Sequence, residues 1–97
     1  MRQQLLIVTY KMRHGMRQAF LKKAAVLAEC FLKEEGCLGY QYLPVPEDPD
    51  GLVLIERWAS AEDQRRHTKT KAFAELAAWK PDYVADTRLE RFVPAEP

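Results

Sequence analysis

Side chains alternate between two faces at the start of the chain. Over Leu5–Met12 (LLIVTYKM) the residues are apolar or β-branched, with no Gly or Pro, which predicts a strand. Leu6, Val8 and Tyr10 point one way, and Leu5, Ile7 and Thr9 the other. Both sides are largely apolar, so this strand is expected to be covered on both faces. Arg13-His14-Gly15 is a turn. From Met16 to Glu35 the period becomes helical: Met16, Phe20, Ala24, Leu27, Ala28 and Phe31 fall on one stripe, and Gly36 is the expected stop. Alternation returns over Cys37–Leu43, with Leu38, Tyr40 and Tyr42 on one face and Cys37, Gly39 and Gln41 on the other. Pro44–Gly51 is a loop, and Leu52–Trp58 a third strand that closes a hairpin. Ser60, with Asp63 three residues on, caps a short helix over about Ala61–Lys69. Thr70 caps a second, Lys71–Trp79, predicted to bury Phe73, Leu76 and Ala77 before Pro81 ends it. Tyr83–Val93 is the last strand.

The order β-α-β-β-α-β is an α+β, ferredoxin-like plan: an antiparallel sheet with helices on one face. One domain over residues 1–97, with a core of about 5–93, accounts for the whole pattern. The opposite sheet face carries the second apolar side of the first strand. An open apolar face of roughly several hundred Å² is unusual in a monomer. A homodimer packed sheet against sheet is therefore expected.

Composition narrows the function classes. The net charge is +1, with 15 Lys and Arg against 14 Asp and Glu. That balance offers no field to steer nucleic acid or anionic lipid, and no RNA-binding aromatic motif is present, so no nucleic-acid partner is expected. No apolar run nears the roughly 20 residues that span a bilayer, and no basic-then-apolar leader opens the chain, so no membrane partner is expected and a cytoplasmic location is the default. Cys30 and Cys37 are too few for a disulfide scaffold and are expected reduced and buried. There is no phosphate loop, nucleophile elbow or His-Glu-x-x-His, and the two histidines lack metal-ligand spacing; no metal is expected.

The usable groups concentrate in Leu52–Phe73. His67 can act as base, acid or donor near neutrality, or merely cap the break between the two short helices. Glu56 interrupts the apolar run LVLIERW: it is either buried with a raised pKa or paired with Arg57, Arg88 or Arg91. Tyr40, Tyr42 and Trp58 can stack on a flat ligand or serve as core. His14, in a basic turn, is expected in solvent.

Three stretches, LKEEGCLGY (Leu32–Tyr40), LVLIERW (Leu52–Trp58) and ASAEDQRRHTKTKAF (Ala59–Phe73), together resemble the antibiotic biosynthesis monooxygenase family, and the first looks like its quinol-monooxygenase branch. The resemblance implies a dimeric α+β barrel. It also implies oxygenation of a small aromatic substrate by dioxygen, without metal, flavin or other cofactor. His67 matches the family's histidine in the first short helix and would be the base; Tyr40, Tyr42, Trp58, Glu56, Val8 and Phe73 would line the substrate pocket. Two departures stand out. Ala72 occupies a position where many relatives carry a second histidine. Val8 and Ala77 stand where the haem-degrading branch uses Asn and His, so haem degradation is not expected. The same fold also serves small-molecule isomerases, and a non-catalytic ligand-binding or accessory module remains an alternative.

Overall fold

The computed structural model describes residues 2–95. The elements are β1 (Gln4–Met12), α1 (Arg17–Leu32), β2 (Cys37–Pro44), β3 (Gly51–Trp58), α2 (Ala61–His67), α3 (Lys71–Trp79), a 3-10 turn at Lys80–Asp82, and β4 (Val84–Phe92). The four strands form one antiparallel sheet in the order β2-β3-β1-β4. This is the ferredoxin-like arrangement, with β1 central and therefore apolar on both sides.

The core lies between the sheet and α1. Leu6, Val8, Tyr10 and Met12 from β1, Leu52 and Leu54 from β3, and Phe20, Ala24, Leu27 and Phe31 from α1 are all buried. Phe20 is the hub of one end, with Tyr10, Tyr42, Trp79 and Tyr83 at centroid distances of 5.7–6.1 Å. Such offset and edge-on ring contacts add to the burial of apolar area. The other sheet face is uncovered: Leu5, Ile7, Val53 and Ile55 are half-buried there, with Leu43 and Phe92 exposed.

Helix caps form where the hydroxyls predict them. The Ser60 hydroxyl accepts from the Asp63 amide at 3.1 Å, and Thr70 does the same for Phe73. Several expectations change. α1 ends at Leu32, three residues short of Glu35, because Lys33 and Glu34 donate to carbonyls only three back, at Cys30 and Phe31, and tighten the chain into a turn. In β2 the register shifts between Cys37 and Gly39. This bulge puts Cys37 opposite Trp58 and leaves Leu38 exposed, overriding strict alternation. Ala77 is exposed, since α3 turns Leu76 inward and Ala77 one step round the helix. Cys30 is likewise exposed and Cys37 half-buried, both as free thiols. His14 lies in solvent beside Asp50.

Gly36 closes the α1–β2 turn at φ +80°, and its carbonyl accepts from Ala59 at 2.7 Å. A Cβ there would run into the Asp63 side chain. Gly36→Ala should thus lower unfolding stability by at least about 1–2 kcal/mol from the left-handed backbone alone, read as a lower urea midpoint at unchanged m-value.

Candidate functional site

Between the sheet and α2–α3 lies a cavity of about 160 Å³. Its floor is Leu6, Val8 and Tyr10 from β1 with Leu54 and Glu56 from β3; Tyr40 closes one side, and His67, Phe73, Leu76 and Lys80 the roof. Thr87 and Leu89 of β4 form the rim, and Leu89 is half exposed there.

His67, the last residue of α2, is 2% exposed. Four rings enclose it: Phe31 at 4.6 Å and edge-on, Trp58 at 4.7 Å, Phe73 at 5.2 Å and Tyr40 at 6.0 Å. Its Nδ1 lies 3.0 Å from Glu34 Oε1. Burial pushes its pKa below the ordinary 6.5, while the Glu56 carboxylate pulls it partly back. A neutral imidazole is the form the site favours, and in that form it can accept a proton.

Glu56 is buried on the cavity floor. None of the three arginines weighed as its partner binds it. Arg57 points to the opposite face and reaches Gln3, Arg88 meets Glu90, and Arg91 donates to Gln64. The Trp58 indole Nε1–H donates to Glu56 Oε1 at 3.0 Å instead. Burial raises the Glu56 pKa, against the pull of this bond and of the charges on His67, Lys80 and Arg91. Lys80 is pushed the other way by burial and is drawn back by Glu56.

The tyrosines stay protonated here. Burial raises Tyr10 and Tyr40 far above the ordinary phenol value and pushes Tyr42 up to about 12. All three keep their O–H at neutral pH, and the Tyr40 and Tyr42 hydroxyls stand 3.5 Å apart.

Of the residues singled out in the sequence, Val8, Tyr40, Glu56, His67 and Phe73 meet at the cavity. Trp58 is wholly buried behind His67 and Glu56, and Tyr42 packs against Phe20 and Tyr40 outside the lining. The sequence reading did not single out Tyr10, Gln64, Lys80 and Glu34 for this site. Tyr10 shares the inward side of β1 with Val8, a signal available in the alternation. Lys80 and Glu34 arrive from turns whose direction no periodicity encodes. Among the described residues, no group of three His, Cys, Asp or Glu side chains is placed to hold a metal ion.

A wider groove of about 620 Å³ runs between the start of α1 and the β2–β3 loop. Two of its polar groups are already engaged: Arg17 donates to the carbonyls of Val45, Asp48 and Gly51, and Asp50 accepts from the Gly15 amide. It is an open surface, whereas the smaller cavity brings buried titratable groups together.

A buried imidazole beside a carboxylate, in an aromatic cage with tyrosine hydroxyls nearby, lines a small pocket on a ferredoxin-like sheet. The chain belongs to the antibiotic biosynthesis monooxygenase family, whose model matches residues 4–79. The probable quinol monooxygenase YgiN of Escherichia coli K12 is 36% identical over 61% of this chain and 67% of its own. A solved conserved protein of unknown function from Bacteroides thetaiotaomicron superposes with a TM-score of 0.86 at 29% identity, covering 95% of this chain and 97% of that one. PA3566 from Pseudomonas aeruginosa shares the fold at a TM-score of 0.90 and 20% identity, over 99% of this chain and 97% of its own. No helix among the described residues is long and apolar enough to cross a membrane.

The depressed His67 pKa has a sign that stability can read. As pH falls below about 6.5, the unfolded chain takes up a proton on His67 that the fold resists, so stability is lost until the folded pKa is passed. Glu56 and Glu34, both raised by burial, contribute slopes of opposite sign. Urea midpoints from pH 7.5 down to 5.5 should therefore fall more for wild type than for His67→Gln.

Proposed function

We propose that this protein is a monooxygenase that oxidises a single-ring quinol with dioxygen, using His67 as the base and no cofactor. The supporting observation is the neutral, caged His67 in a cavity of about 160 Å³. A space on the order of 150 Å³ holds one benzene ring, which favours a single ring over a fused polycycle. The similarity to a probable quinol monooxygenase points to the same class.

The chemistry fits the groups. His67 takes the proton of a substrate hydroxyl, leaving an electron-rich phenolate. Tyr10 and Tyr40 remain neutral donors able to stabilise that anion, and Lys80 adds positive charge from the roof. The phenolate itself supplies the electrons to dioxygen. One oxygen atom enters the ring and the other leaves as water, so quinol plus dioxygen gives a hydroxyquinone and water with no outside reductant. Val8, Leu54 and Phe73 keep the pocket apolar.

In this reading the chain is one domain over a core of about 5–93, working as a cytoplasmic homodimer. The half-buried Leu5, Ile7, Val53 and Ile55, with exposed Leu43 and Phe92, support pairing through the open sheet face. Free Cys30 and Cys37 suit a reducing compartment.

Oxygen consumption with a panel of single-ring quinols tests the activity. His67→Ala should be at least about tenfold slower, or about 1.4 kcal/mol of barrier; an equal rate removes His67 from the mechanism. Tight ligand binding with no oxygen uptake would instead indicate a binding module. Sedimentation at micromolar concentration should show a dimer, and a sharp monomer would refute the sheet-face pairing.

A further inference from the structure

Glu34 belongs to LKEEGCLGY, one of the stretches that carry the family likeness. Its place in the fold gives it work. Because α1 stops at Leu32, the following turn swings the Glu34 carboxylate across to α2, with Oε1 and Oε2 at 3.0 and 3.3 Å from His67 Nδ1. The ring is 2% exposed and the carboxylate side chain 19%. The imidazole is thus enclosed, while its partner bridges to water.

We propose that Glu34 is the positioning residue of this site: it holds His67 in the tautomer with the proton on Nδ1, so that Nε2 presents its lone pair to the cavity. As a statement about catalysis this rests on His67 being the base. A neutral imidazole has one N–H and one acceptor nitrogen, and an ionised carboxylate only accepts. The Glu34 contact therefore fixes which nitrogen is which.

Nothing else around the ring makes that choice. Phe31, Trp58 and Phe73 offer faces and edges. The Tyr40 hydroxyl is turned to Tyr42. The charges facing His67 are Glu34 from the α1–β2 turn and Glu56 from β3, the latter already bonded by Trp58. Lys80 from the 3-10 turn and Arg91 from β4 act on Glu56, while the Cys37 thiol of β2 is raised by burial and uncharged. On α2 itself, Arg66 is engaged with Glu35 and Asp63.

In the reaction the O–H bond of the substrate breaks and an Nε2–H bond forms, leaving an imidazolium whose Nδ1–H faces the Glu34 carboxylate. The proton returns from Nε2 to the departing oxygen within the same turnover. A carboxylate on the far nitrogen orients such a ring and stabilises its charged form.

The test is nitrogen-15 NMR of the imidazole in the substrate-free protein, with kinetics alongside. Wild type should show Nδ1–H and a bare Nε2. Glu34→Gln, which keeps an acceptor oxygen but loses the charge, should keep that tautomer and lower the His67 titration midpoint by about one unit. Glu34→Leu should mix the tautomers and cut kcat by about tenfold to a hundredfold with little change in KM. An Nε2–H tautomer in wild type, or an unchanged midpoint in Glu34→Gln, overturns the proposal, and both are read without Glu34→Leu having to fold. The NMR result judges Glu34 even if no oxygen is consumed, in which case it is the oxygenase reading that fails.

Discussion

A 3.0 Å hydrogen bond between His67 Nδ1 and Glu34 holds the site together. An imidazole 98% withdrawn from water needs a partner for its N–H, since an unpaired buried donor costs about 1–3 kcal/mol. That partner cannot come from α2, because the ring points into the sheet. It comes from the end of α1, and only because α1 yields to a turn at Leu32, which Gly36 closes with a left-handed backbone. The helix stop, the glycine and the histidine are one local solution to burying a polar ring.

The second buried polar group depends on the same packing. Glu56 stands among the apolar side chains of β3 and is bonded by the indole of Trp58, whose ring also lies 4.7 Å from the His67 ring. Trp58 is wholly buried and shields both groups from water. Low polarity then raises the carboxyl pKa and lowers that of the imidazole. The shifts bring the two groups closer in proton affinity, and the phenols beside them stay protonated. A smaller gap between two such groups lowers the cost of passing a proton between them.

Much of this was legible in the chain. Element order, both hydroxyl caps and the apolar second side of β1 on an uncovered sheet face all follow from periodicity and cap chemistry; cover for that second side is not seen among the described residues. Alternation also places Glu56 and Trp58 on one face of β3, while the meeting of Val8, Tyr40, His67 and Phe73 was implied by the family resemblance and not by periodicity. The bulge at Leu38 was not legible, because a one-residue register shift leaves no mark in a strand of mixed residues. Nor was the Glu56 partner. Charge pairing suggested an arginine, but Arg57 alternates to the far face, and an indole two residues along the same strand face serves instead. Glu34 escaped for a third reason: its role depends on where a helix frays, and a run of helix-forming residues up to Gly36 conceals that.

Chemical shifts of the His67 ring during anaerobic titration with a single-ring quinol give the most direct measurement. With dioxygen absent the substrate binds without turning over. The account predicts a large change at Nε2, a small one at Nδ1, and accompanying shifts at Tyr40 and Phe73. Binding that leaves the His67 ring unperturbed, or that appears instead at Arg17 and Lys22 in the outer groove, would contradict it.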